Sequence, residues 1–133
     1  MSAAKDVATI LDSALSGFAV GTNLFWGRGL TDTPDTQIGV VTYAGGPPEL
    51  AMTGDVGSAI AEMSRAQVVS RAAAYQTAED NAQLAWNALQ NYKGTVNGNT
   101  ILFVTCLQSP FSLGPDGRNL MQVAFNVEVW TAS

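Results

Sequence analysis

From Met121 onward the chain alternates: Met121, Val123, Phe125, Val127 and Val129 fall on one side of an extended backbone, and Gln122, Ala124, Asn126 and Glu128 fall on the other. Successive side chains of a strand point to opposite faces, so this segment predicts a strand with one apolar and one polar face. The apolar face must be covered, and the polar one meets water or a partner. Cover has to come from elsewhere in the chain.

The clearest source is the segment 75–92. Tyr75, Ala78, Ala82, Ala85, Leu89 and Tyr92 keep 3-4-3-4-3 spacing, while Glu79, Asp80, Gln83, Asn87 and Gln90 lie mostly elsewhere on the wheel. This predicts a helix of about five turns. Its acids fall in the N-terminal half, Lys93 stands at the C-terminal end and Gly94 follows as a stop, in line with the helix dipole and the glycine C-cap preference. A shorter amphipathic helix is expected near the N-terminus, where Val7, Ile10, Leu11, Ala14 and Phe18 share a face and Gly17 is the stop.

Further strands are expected at 23–28 ("NLFWGR"), 37–44 ("QIGVVTYA") and 65–73 ("RAQVVSRAA"). The run "TILFVTCLQ" is apolar on both alternating sides and predicts a central strand covered on two faces. "GLTDTPDT", "GGPPE", "NGNT" and "SPFSLGPDGR" carry turn chemistry and are expected to be loops. Residues 50–64 show no clear period, and "SAIAEM" fits a helical turn or an irregular connection equally. At 133 residues with no break in composition, the chain is expected to form a single domain spanning 1–133. The expected class is α+β: a mainly antiparallel sheet of about five strands with two helices packed on one face.

Composition narrows the chemistry. The chain has no histidine, which removes the usual general base and the commonest metal ligand. Its one cysteine, Cys106, sits in an apolar run as a small hydrophobe, which excludes an internal disulfide, a zinc site and a Cys-His nucleophile. No metal and no cofactor is expected, and an intracellular origin is favoured. Two carboxylate pairs remain, Asp32 with Asp35 and Glu79 with Asp80. The first reads better as turn chemistry and the second as the solvated start of a helix. "GPDG" lacks the Lys and Ser/Thr of a phosphate loop and reads as a turn. Trp26, Trp86 and Trp130 lie on three different expected elements and read as core or interface anchors.

Six Lys or Arg stand against eleven Asp or Glu, a net charge of -5, which leaves little for a nucleic-acid-binding groove. Charged residues make up only 13% of the chain, so part of the surface is open to cover by other subunits. Arg65, Arg71 and Arg118 are half of the positive charge and suit acidic partners on a neighbouring subunit as well as simple solvation. The first residues have the periodic pattern of a helix and not that of a signal peptide. No stretch has the apolar length of a membrane span, and a soluble protein is expected.

The order of these pieces resembles the tail terminator proteins of long-tailed bacteriophages, also known as minor capsid or tail completion proteins. The likeness is carried by "TNLFWGRGLTDTPDTQIGVVTYAGGPPE" after an N-terminal helix, by "AQVVSRAAAYQTAEDNAQLAWNALQ", and by "SPFSLGPDGRNLMQVAFNVEVW". The family's loop of the form P-x-x-L-G-x-D-x-x-G-R is here "PFSLGPDGR", shorter by a residue or two. The resemblance implies a structural virion protein and not an enzyme. It would form a homohexameric ring that caps the tail tube, ends its polymerisation and meets the head connector, with DNA passing through the lumen unbound. Its partners would be the tail tube protein and the connector protein, at the head-tail junction of a virion assembled in the host cytoplasm.

On this reading the loops 29–36 and 109–118 are expected to make contacts between subunits, through Asp116 and Arg118 first and Arg71 and Trp26 behind them. Alternatives are a head-tail connector or tail tube subunit and, in a different class, a small ligand-binding or hydrolytic domain using Asp32 and Asp35.

Overall fold

The computed structural model describes residues 3–27, 30–31, 34–43, 49–50 and 59–132. Along the chain these form α1 (Ala3–Ala14), β1 (Leu24–Trp26), β2 (Gln37–Tyr43), β3 (Glu49–Leu50), β4 (Ala59–Ala72), α2 (Tyr75–Leu89), β5 (Gly94–Val96), β6 (Asn99–Cys106), β7 (Phe111–Pro115) and β8 (Met121–Ala132). The class is mixed α+β, and every strand pairing is antiparallel except that of β1 with β2.

The sheet is built on its two longest strands. β4 and β8 pair from Ala61 with Ala132 to Ala72 with Met121. Each is flanked on its other side by two shorter strands laid end to end. β2 and β3 run along β4, and β6 and β7 run along β8. β1 and β5 complete the path β1-β2-β4-β8-β6-β5. β5 and β6 form a hairpin whose turn, Asn97-Gly98, has both residues at positive φ (51° and 80°). Such a turn matches the right-handed twist of the paired strands.

Register explains the core. Val40, Val68 and Phe125 stand side by side across β2, β4 and β8, and Ala66, Val127 and Cys106 do so across β4, β8 and β6. With Val7, Ile10 and Leu11 of α1 and Ala85 and Leu89 of α2 they form one buried cluster. A second, smaller cluster joins Ala78 and Ala82 of α2 to Ala72 and Val123. Burial of a side chain such as Phe125 stabilises by about 1.5–3 kcal/mol. α1 is also tied down by polar groups. The buried Asp6 carboxylate accepts hydrogen bonds from Asn97 Nδ2 (2.9 Å) and Asn99 Nδ2 (3.1 Å), and Ala4 N–H donates to Thr42 Oγ1 (3.0 Å).

Several expectations are corrected. The sheet has eight strands and not about five. One addition is the stretch 59–64, which extends β4 because β8 offers a full-length partner despite its Ala-rich, weakly β-forming sequence. β7 is another, inside what reads as the loop 109–118. β6 is neither central nor covered on two faces: it lies second from the edge, and Leu102, Phe103 and Leu107 are exposed around a register shift between Ile101 and Phe103. α1 ends at Ala14, short of Gly17. α2 ends at Leu89, so Tyr92 and Lys93 lie beyond it, and Gly94 opens β5 instead of stopping the helix. The left-handed residue past its end is Asn91 (φ 64°), a side chain that tolerates that conformation. The part of 50–64 between residues 51 and 58 lies outside the described residues.

Candidate functional site

The residues of alternate register, Val41 on β2, Gln67, Val69 and Arg71 on β4 and Gln122 on β8, lie on the side of the sheet opposite Val40, Val68 and Phe125. Here the sheet carries a trough of about 440 Å³, walled by Leu30 on one side and by Leu113 and Asp116 on the other. Leu30 lies over β2 because Gly39 is beneath it: a Cβ on Gly39 would stand 2.8 Å from Leu30 Cδ2.

At one end of the trough sits Arg71, only 4% exposed. A buried guanidinium needs its donors answered. Nε donates to the Asp35 carbonyl (3.1 Å), and one terminal nitrogen donates to the carbonyls of Thr31 (2.7 Å) and Pro34 (2.9 Å). The other terminal nitrogen lies 3.7 Å from Asp116 Oδ2. Gln37, the register partner of Arg71 and fully buried, grips the same loop from the strand below it. Its Oε1 accepts from Thr31 N–H (2.9 Å), and its Nε2 donates to the carbonyls of Thr31 (3.0 Å) and Pro34 (2.7 Å).

Asp116 organises the opposite wall. Its Oδ1 accepts the backbone N–H groups of Arg118 (2.8 Å) and Leu120 (2.9 Å), which closes the turn from β7 into β8. Asn119 within that turn takes a positive φ of 63°. The Leu120 N–H holds the Asp116 carboxyl below its ordinary pKa, against the opposing pull of partial burial; the Arg118 N–H and the charges of Arg71 and Arg118 act in the same sense as Leu120. Arg118 Nη1 reaches back 3.4 Å to Asp35 Oδ1, an exposed pair that bridges the two walls a second time.

Three of the four residues singled out from the sequence, Arg71, Asp116 and Arg118, therefore meet at one place. Arg71 is engaged inside the chain and not displayed. Trp26 stands apart on β1, half-exposed, with Lys5 Nζ of α1 5.9 Å from its ring centroid. The residue that sequence reasoning missed is Gln37; its one signal is a lone amide at the head of an otherwise apolar strand. Of the carboxylate pairs, Asp32 lies outside the described residues, as do Gly29 and Thr33 of the loop 29–36. Asp35 is engaged by Arg118, and Asp80 accepts a hydrogen bond from Gln76 (2.8 Å). Among the described residues no three His, Cys, Asp or Glu side chains are grouped to hold a metal ion, and no helix is long and apolar enough to cross a membrane.

The same sheet face continues away from the trough through Arg65, whose Nη2 lies 3.0 Å from Glu128 Oε2, to Trp130 stacked on Phe103 with ring centroids 5.7 Å apart. Trp86, on α2, donates from Nε1 to the Gln108 carbonyl (3.0 Å). Each of the two thus has a partner within the chain, as expected of an indole that anchors packing.

No protein-family model matches this chain, and no curated protein matches it. Among solved structures, its fold is similar to that of a chain in the virion of a native gene transfer agent particle. The TM-score is 0.64, with 14% sequence identity, over 96% of this chain and 94% of that chain.

Proposed function

We propose that the chain is a structural virion protein that acts by assembly, and that its role is that of a tail terminator. In this reading a single ring-forming domain closes into a hexamer, caps the tail tube, ends its polymerisation and offers a face to the head connector. The observation that carries it is the shared fold, end to end, with a chain of a gene transfer agent virion. The order of sequence pieces supplies the finer assignment.

The trough face suits such a role. A closed ring of identical subunits needs two different patches that fit one another. Asp116 and Arg118 stand at the rim of one such patch, with Arg71 holding it from inside, and Trp26 lies on another part of the surface. A net charge of -5 favours a lumen along which DNA slides without being held.

The test is electron microscopy and solution mass of the purified protein, alone across a concentration series and with tail tubes added. Single rings seated at tube ends, with tubes growing no further, are expected. Stacked rings would assign the chain to the tube itself. A monomer at every concentration that leaves tube length unchanged would overturn the terminator role.

A further inference from the structure

We propose that Arg71 is a positioning residue that couples Thr31, Pro34 and Asp35 to the turn 116–120, so that whatever docks on one wall of the trough also stiffens the other. One wall lies 36 to 40 residues before Arg71 in the chain, as its bonds to Asp35, Thr31 and Pro34 record. On the other side Arg71 faces Asp116, the residue whose carboxylate closes the β7–β8 turn. One planar cation thus holds three loop carbonyls with one part of its fork and the turn's organising acid with another.

Geometry and not charge alone makes the coupling. A guanidinium presents several donors in a fixed plane, whereas an ammonium is a point charge that satisfies fewer acceptors at once. Gln37 locks the loop side of the same assembly, so loosening Gln37 releases the carbonyls that fix the Arg71 plane. Through Arg71, that disturbance reaches Asp116. The bearing of this coupling on assembly rests on the ring reading above; the coupling itself belongs to the free chain.

It is tested by backbone amide exchange on the isolated protein, with each wall read while the other is changed. Thr31 N–H, bonded to Gln37 Oε1, reports the loop, and Arg118 and Leu120 N–H, bonded to Asp116 Oδ1, report the turn. Asp116→Ala is expected to speed exchange at Thr31 about tenfold, and Gln37→Leu to do the same at Arg118 and Leu120. With the second bridge removed by Arg118→Ala in every variant, both cross-effects vanish in an Arg71→Met background, and Arg71→Lys restores neither. Exchange that quickens only on the wall that was changed, or coupling that survives in Arg71→Lys, overturns the proposal. Should Gln37→Leu fail to fold, Asp116→Ala read at Thr31 decides alone, since that carboxylate lies in a surface turn. Because no assembly is measured, a negative result leaves the ring reading intact, and a failed ring leaves the coupling intact.

Discussion

The two faces of the sheet are stabilised by different means. On one face Val40, Val68 and Phe125 line up across three strands and are sealed in a buried cluster with residues of α1 and α2. That face works by apolar contact, which is additive over area and has no fixed direction. On the opposite face every described arginine is matched to an acid: Arg65 to Glu128, Arg71 to Asp116 and Arg118 to Asp35. These contacts are directional: Arg65 ties β4 to β8, and Arg71 and Arg118 hold a loop and a turn in place. The comparison teaches that the packed interior and the charged network of the open face can be altered separately here.

The largest effect should come from the sealed face. Phe125→Ala removes a fully buried side chain from the middle of three aligned strands, and a loss of about 3–5 kcal/mol is expected in chemical denaturation. A loss under about 1 kcal/mol would mean that the two faces are not divided as described.

A smaller effect is expected from acid. The Asp116 carboxyl sits below its ordinary value of 3.8 in the folded chain. Its contribution is therefore complete above that value and is lost as pH falls through the lower folded one. Stability measured from pH 6 down to 2 should fall less steeply in Asp116→Asn than in the wild type. Equal slopes would remove Asp116 from the open-face network.

The smallest effect on stability belongs to Arg118. Its pair with Asp35 is exposed, at 47% and 58% of the two side chains, so Arg118→Ala should cost less than about 1 kcal/mol. On the proposed ring reading, assembly should nonetheless weaken, read as a shift of its midpoint to higher protein concentration. Wild-type assembly with unchanged stability would place the interface elsewhere.

Much of the sealed face is legible in the sequence because periodicity records burial directly. The alternation of Met121 to Val129 and the spacing of Ala78, Ala82, Ala85 and Leu89 survive as β8 and the inner side of α2. The limits of α2 were less so: Tyr75 fits the period yet is 43% exposed, and Tyr92 packs against the core from beyond the helix end. The first half of β4 was hidden, since the pairing that makes it a strand comes from β8, more than fifty residues away by the register of Ala61 with Ala132. β7 was hidden by its own composition. Gly114, at a positive φ beside a register shift, and Pro115 read as loop signals, yet both are tolerated in a strand at an edge.

The open-face cluster was legible only as a set of residue types. Asp116 and Arg118 stand out because they flank a turn. The partners of Arg71 do not, because three of them are backbone carbonyls, which leave no trace in a list of side chains.

Between β6 and β7 the ladder along β8 is interrupted: Leu107 N–H donates to the Asn126 carbonyl, and the next acceptor, for Asn126 N–H, is the Gln108 side chain and not a main-chain oxygen. The break leaves the pairing of β8 with β4 continuous. An insertion just past Gln108, at residues 109–110, would therefore lengthen the connection from β6 to β7 while leaving the β4–β8 ladder and its buried side chains as they are.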